Sequence, residues 1–544
     1  MRRQPADEAA RVTAIPDWTA REAFLNRFYA RRAGRGRKVP SFAAFPEPAT
    51  MGEADRGRQI LDGKFVLDGR LVEVLGASIW HNKLYGAALQ ECDWLNDLAA
   101  LGDQKARARA QAWVWDWIAR FGRGEGWTPQ STARRLMNWL HHAEFLLQGM
   151  QGPAQRNFMQ SLARQTIYLA RAWQFVPVGQ GRVSTLAGLN AALLALDGLS
   201  RLRPKAEAAF LRALSDVVGR EGQIASRNPA EAAVLFCDIV GVAVRLHATG
   251  QAMPPALQNV IEVMAPLLRG LRHGDGTLAR LQGSNGGNPV ALDAALAQAG
   301  VRAPAGARLH MGFARISAGR LVLIADAAPA PAGGHASATA IEISVGRRLL
   351  VTSCGDGSPF GTDWRQAGRG AASHSTLVLE GGAKPAEVMY ARTPMDGGTR
   401  LELGHDGWRA AHGLVHARQI DVDIAGRVVM AEEMLMTIDA ADQARFDRAL
   451  VLSGGRGVDF ALRFHLHPDV TVVPQDDPLV LNLVLKSGEV WALSHDGQAR
   501  MTVEPSVYVE NGVASPRSTQ QVVLMGRAMS YATRMRWALG RATG

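Results

Sequence analysis

The sequence predicts two domains in series: an incomplete (α/α) toroid of helices in the N-terminal half, then an antiparallel β-sandwich. Three observations predict it. The chain has 544 residues, too many for one ordinary domain. From residue 80 to about 299, apolar residues recur at i, i+3, i+4 and i+7 between short Gly or Pro breaks. After residue 301 the period becomes two, with Gly and Asp turns at regular intervals. Helices first and strands afterwards favour separate domains over an alternating α/β fold.

Residues 1–78 read as an N-terminal extension. It carries a basic run at 31–38, read as solvated, and an alternating stretch at 65–75 that suggests a small hairpin. The helical domain, 79–300, is expected to hold helices at 83–99, 104–121, 129–147, 153–174, 184–200, 204–219, 228–248 and 254–272. Thr128-Pro129 and Asn228-Pro229 each place a capping residue before a proline at the first helical position. Similar lengths and short connections suggest antiparallel hairpins stacked side by side. A linker at 301–308 opens the sandwich domain, 301–544. Its expected strands are 319–325, 339–345, 347–352, 375–379, 418–424, 428–437, 458–465, 479–486, 489–495, 501–509 and 519–525, with a long loop at 326–334.

Composition narrows the partners. Hydrophobic residues make up 47% and charged residues 20%, a globular balance that supplies a large core. A net charge of +11 favours anionic partners: nucleic acid, anionic lipid or acidic polysaccharide. Part of this charge is the Arg-, Ala- and Gly-rich bias of a GC-rich genome. No RNA-binding signature, zinc finger or phosphate loop is present, which disfavours nucleic acid. The 13 Trp outnumber the 6 Tyr, so Trp serves either saccharide stacking or the core. Cys92, Cys237 and Cys354 are too few and too scattered for a disulfide framework or a cysteine metal motif. The first residues are polar, with no apolar signal region, and no apolar run is long enough to span a bilayer. The direct expectation is a cytoplasmic protein; the oligomeric state is left open.

Several stretches resemble the heparinase II/III-like family, in an alphaproteobacterial branch. In the helical half they are Cys92-Asp93-Trp94-Leu95-Asn96-Asp97-Leu98, Gly126-Trp127-Thr128-Pro129 running to Arg134-Arg135-Leu136-Met137-Asn138-Trp139, and the run from Glu221 to Pro229. In the β half they are Gly334-His335-Ala336-Ser337, Ser353-Cys354-Gly355, Ala372-Ser373-His374-Ser375, His405-Asp406-Gly407-Trp408 and Arg463-Phe464-His465-Leu466-His467-Pro468. The resemblance covers most of 80–540. It implies a toroid, a sandwich and β-elimination on an acidic polysaccharide. Relatives of this kind are often periplasmic or associated with the cell envelope.

A uronate lyase must neutralise the C6 carboxylate, remove the C5 proton and protonate the leaving O4. Arg227 and Asn228, at a loop-to-helix junction, are candidates for the carboxylate; the alternative is a surface cation and a helix cap. His335 occupies the position of a family catalytic and metal-binding segment and is read as general acid or base, or as a ligand. The family's proton-transferring Tyr would fall where this chain has Ala230-Glu231-Ala232, and its Asn-His pair where it has Ser184-Thr185. Tyr85 and Tyr390 are therefore candidate replacement bases, with core packing the alternative for Tyr85. Arg134, Asn138, Trp80, His81 and Glu231 are candidate substrate-binding residues, or else helix-packing and surface groups. His374 resembles a family histidine that binds zinc in some members, but the acidic partner position reads Ser353. No cofactor is expected to be required, and a weak Zn or Ca site involving His374 and His335 is the open alternative. Two other functions stay open. A glycoside hydrolase would need two facing carboxylates from among Asp93, Asp97, Glu144 and Glu231. A non-catalytic glycan-binding or envelope-biogenesis protein would keep the fold without the base.

Overall fold

The computed structural model describes residues 18–43, 52–74, 78–82, 85–302, 307–380 and 387–542. Residues 83–84 of the first expected helix, residue 75 of the expected hairpin and 303–306 of the expected linker lie outside them.

The expected extension contributes structure of its own. Helix α1 (Ala20–Gly34) opens on a capping box, Thr19 accepting from the Glu22 N–H and Glu22 from the Thr19 N–H. Buried Asn26 on α1 donates to Trp127 O at 2.9 Å and accepts from Tyr168 Oη at 2.5 Å, tying the extension to the helical core. Helix α2 (Ala54–Leu61) and the hairpin β1 (Lys64–Leu67)–β2 (Arg70–Glu73) follow. The helical layer then comprises α3 (Gly86–Glu91), α4 (Trp94–Leu101), α5 (Gln104–Phe121), α6 (Pro129–His141), α7 (Ala143–Leu147), α8 (Pro153–Ala172), α9 (Gln180–Ala195), α10 (Arg203–Val217), α11 (Pro229–Ala248), α12 (Pro255–Gly270) and α13 (Pro289–Gln298).

Two expected helices divide. The stretch 83–99 breaks into α3 and α4 because buried Cys92 takes the left-handed conformation, φ +62°. The stretch 129–147 breaks at His142 into α6 and α7. Helix α9 starts four residues before its expected position and is buried along most of its length, with α6, α10 and α11 packed against it. An apolar surface on nearly every side makes it the central helix of the layer. Asn228 caps α11 as expected, accepting from Ala230 N and Glu231 N; Thr128 makes no side-chain cap on α6.

The sandwich follows from the period-two stretches. One sheet runs β16 (Arg500–Tyr508), β17 (Arg517–Ala528), β12 (Val458–Leu466), β6 (Arg348–Thr352), β5 (Ile341–Val345), β4 (Leu321–Asp326), β3 (Phe313–Ala318), with β7 (Leu377–Leu379) also on β12. The other runs β13 (Val470–Pro474), β14 (Val480–Leu485), β15 (Val490–His495), β18 (Ala532–Arg541), β11 (Val428–Met436), β10 (Leu414–Asp423), β9 (Gly398–Trp408), β8 (Val388–Met395). Short helices α14 (Thr362–Arg369), α15 (Arg409–His412) and α16 (Ala440–Leu452) interrupt the strands. The expected loop after β4 is present. Tyr390 lies on edge strand β8.

A second core fills the space between the sheets. The helical core extends onto Phe313, Val322 and Ile324 of the first sheet, so the two halves share apolar packing. Trp117, Trp127 and Trp139 are fully buried among the helices, and Trp408, Trp491 and Trp537 within the sandwich. Core packing therefore accounts for these six tryptophans.

The sandwich also buries an ionic cluster. Glu433 accepts from Arg418 Nε at 2.8 Å, His416 at 2.7 Å and Trp537 Nε1 at 2.9 Å. Burial opposes its charge, but Arg418 and His416 outweigh burial and hold its pKa at about 2. A depressed carboxylate pKa stabilises the fold above the unfolded value, and that contribution is lost as pH falls through the folded value. Glu433→Gln is expected to cost about 2 kcal/mol at neutral pH. Urea denaturation should also show a smaller loss of stability between about pH 4 and 2 than in the parent.

Candidate functional site

The junction between the halves is organised by one polar chain. Gln282, at φ +51°, donates to Asp326 Oδ2 at 2.9 Å, to Ser337 Oγ at 2.9 Å and to His335 O at 3.2 Å. Its carbonyl oxygen accepts from His335 N at 2.9 Å, so Gln282 holds the His335 backbone from both sides. Asp326, fully buried, also accepts from Ser337 Oγ at 2.7 Å and from Arg227.

Arg227 completes the chain and is not a carboxylate receptor. Its Nε donates to Met311 O at 2.7 Å, and Nη1 to Ala328 O at 2.9 Å and Pro329 O at 2.7 Å. Nη2 donates to Gly312 O at 3.1 Å and to Asp326 Oδ1, and the guanidinium lies 4.7 Å from the Phe313 ring. A guanidinium has five N–H donors, and all five meet protein acceptors. The expected role in substrate binding is corrected: Arg227 fastens the start of α11 to the sandwich.

His335 and Asn228 face a common space. A Cβ on Gly283 would lie 3.1 Å from His335 Nε2 and 3.4 Å from Asn228 Nδ2. Asn228 uses Oδ1 for the α11 cap, and its Nδ2 makes no hydrogen bond among the described residues. Burial lowers the His335 pKa, against the opposing pull of Asp356, so the imidazole is neutral at pH 7. Gly283 has φ +80°. Gly283→Ala should cost about 1 kcal/mol in thermal stability and close the gap between the two groups, which a fall in glycan affinity would register.

The His374 ring lies 5.6 Å from that of His335, and its Nδ1 is 3.1 Å from Ser353 Oγ. His335 Nδ1 and His374 Nε2 are buried without partners. Two imidazoles and a serine hydroxyl lack the third strong ligand that a zinc site uses. Among the described residues, no group of three or more His, Cys, Asp or Glu could hold a metal. The residues present do not fit a resident zinc.

The remaining candidates are dispersed. Tyr85 packs on the helical core at the start of α3, and Tyr390 packs against the sandwich core from β8. Trp80 donates from Nε1 to Trp113 O at 3.0 Å and packs against Trp94 and Phe121. His81 is exposed and meets Arg120 at 2.9 Å. Glu231 accepts from Ser226 Oγ at 2.6 Å and Gln180 at 3.2 Å, joining the starts of α9 and α11. Core packing explains Tyr85 and Trp80. A lyase built here would have to use His335 without a neighbouring tyrosine from these candidates.

Arg134 and Asn138 do share a cavity, but not with His335. It has a volume of about 240 Å³ and lies between α2, β1, α4, α6 and α11. Arg134 Nε donates to Asp93 at 2.7 Å, and its Nη1 lies 3.6 Å from Asp238. Asn138 donates to Glu91 O at 2.9 Å and to Asp93 at 2.8 Å. Sequence reasoning missed Asp238, Gln282 and Asp326, and His141, beside His142, was set aside for lacking the spacing of a metal pair. Asp238 lies within the apolar helix α11 and Asp326 ends the apolar strand β4, whereas Gln282 lies in a turn; only spatial proximity marks them out.

This combination of a helical layer, a two-sheet sandwich and a histidine at their junction defines a fold of polysaccharide-lyase type. It is similar to that of heparinase III, with a TM-score of 0.68 and 12% identity over 96% of this chain and 91% of that one. It is also similar to the heparan sulfate lyase HepC from Pedobacter heparinus, with a TM-score of 0.56 and 13% identity over 96% and 88%. Residues 301–538 match the family model described as Heparinase II/III-like, C-terminal, so this part of the chain is similar to that family. Over 529 residues it is 28% identical to FtsZ-localized protein C of Caulobacter vibrioides (strain NA1000 / CB15N), covering 90% of this chain and 88% of the relative. Among the described residues, no helix is long and apolar enough to cross a membrane.

Proposed function

We propose that this protein is a carbon–oxygen lyase that cleaves a uronate-containing polysaccharide or oligosaccharide by β-elimination. One observation carries the reading: His335 Nε2 and Asn228 Nδ2 converge over Gly283 at the junction of the two halves. Asn228 Nδ2 would donate to the C6 carboxylate, drawing charge from C5 as the carbanion develops. Neutral His335 would take the C5 proton. The C4–O4 bond then breaks, a C4–C5 double bond forms, and the imidazolium returns its proton to O4. Arg227 would act only as a positioning residue, through Asp326 and Gln282.

A second reading, a glycan-binding member of the fold without turnover, has two observations in its favour. The position of the family's tyrosine is occupied by Ala230-Glu231, and the relative FtsZ-localized protein C carries a name that refers to localisation. The same experiment separates the two. The chain is incubated with heparan, hyaluronan, glucuronan, alginate and bacterial exopolysaccharides, and the ultraviolet absorbance of unsaturated uronate is followed. Rising absorbance on any one substrate supports the lyase. Silence across the panel with measurable glycan binding would leave the second reading.

A further inference from the structure

The cavity in the helical half carries a charge of the wrong sign for a uronate. Four carboxylates line it, Glu53, Asp93, Asp97 and Asp238, against two guanidiniums, Arg56 and Arg134. Arg56 is held by Glu53 at 3.1 Å, and Arg134 is divided between Asp93 and Asp238. Asp97 accepts only the Glu53 N–H, at 2.9 Å, and forms no ion pair among the described residues. Glu91 joins this group from an adjoining cavity of about 300 Å³ that shares Asp93, Arg134 and Asp238.

A second feature is independent of the carboxylates. His141 lines the cavity, is 5% exposed, and has no partner at either Nδ1 or Nε2. Burial first, then Arg245, His142 and Arg134, holds its pKa well below the ordinary value, so the ring is neutral. A neutral imidazole accepts a hydrogen bond at one nitrogen and donates at the other. A buried imidazole with both positions unfilled, beside surplus carboxylates, matches a ligand that brings positive charge together with hydroxyl groups.

We propose that this cavity is a binding site for a small organic ammonium ion, specifically an amino sugar with a free amine, whose charge is met by Asp238 and Asp97 and which hydrogen-bonds His141. The volume is below the roughly 300–1,000 Å³ of drug-sized sites, which limits the ligand to about one sugar ring. The proposal does not depend on catalysis at His335.

Titration calorimetry on the full chain tests it, with glucosamine, N-acetylglucosamine and glucuronate as probes. Glucosamine is expected to bind saturably, one per chain. Acetylation removes the charge and should weaken binding about tenfold or more, the loss of one charged hydrogen bond. Burial and Asp93 raise the Glu91 pKa to about 7, against Arg134 and Arg135 and with a further push from Asp68. Burial likewise raises Asp97 to about 6, with Glu53 and Asp93 also raising it and the Glu53 N–H and Arg56 opposing. Burial also raises Asp238, against Arg134 and Ser184. Ionisation of the cavity's carboxylates should tighten glucosamine binding between about pH 5 and 6.5, below the pH at which the amine of the sugar loses its proton. Asp97→Asn and Asp238→Asn should each weaken binding about tenfold. Since Asp238 also holds Arg134, the His141 ring resonances provide a second readout, and should shift as glucosamine is added to the parent chain. The proposal is overturned if N-acetylglucosamine binds as tightly as glucosamine, if glucuronate binds in its place, or if glucosamine neither saturates nor moves the His141 resonances.

Discussion

Replacing His335 with alanine is expected to lower the rate of unsaturated-uronate formation by at least about 100-fold, the contribution typical of a positioned general base. On the proposed lyase reading the imidazole that faces Asn228 across Gly283 takes the proton, and none of the candidate tyrosines joins it there. Binding of intact glycan should persist, because Asn228 and the domain junction remain. The pH profile gives a second check. Burial lowers the His335 pKa below the ordinary value of 6.5, so the neutral base predominates at pH 7. Activity attributable to this residue should rise only at acidic pH and be flat from neutral pH upward. A rate that keeps climbing above about pH 8 would assign the proton transfer to another group, such as a tyrosine.

Arg227→Ala is expected to cost about 3–5 kcal/mol in unfolding free energy, because it leaves the Asp326 carboxylate buried without its cation and several carbonyls without a donor. The Arg227 side chain is only 11% exposed, so water cannot replace the lost contacts. Lysine would not restore the parent, since an ammonium has three donors and no planar fork to reach Met311, Gly312, Ala328 and Pro329 together. Denaturant titration measures the loss, and early proteolytic cleavage around residues 326–334 should accompany it. A variant as stable as the parent but inactive on a uronate substrate would return Arg227 to the carboxylate-binding role.

Both expectations turn on how much of the site could be read from the chain. The order of domains, the change of period near residue 301 and the Asn228 cap were legible because hydrophobic periodicity and capping are local properties. The division of the first expected helix at Cys92 was not, because a non-glycine residue in the left-handed conformation carries no local signal. Helix α1 lay unread in the extension although Thr19 and Glu22 have the spacing of a capping box. The edge strand β8 and its neighbour β9 were also missed.

The residue types that polysaccharide chemistry calls for were recognisable in sequence, and His335 and Asn228 stood out by their positions in motifs. Which of them meet was decided by the tertiary structure. A sequence registers that Arg227 is a cation beside a helix cap; only the folded chain shows five acceptors from the sandwich surrounding it. In the same way, Arg134 and Asn138 read as a cleft-lining pair, and the fold adds the carboxylates that reverse the sign of their cavity. Backbone periodicity is set by neighbours three or four residues apart, so the chain itself determines it. Hydrogen-bond saturation and local field are set by groups as far apart as Arg227 and Asp326, which become neighbours only when the two halves pack together.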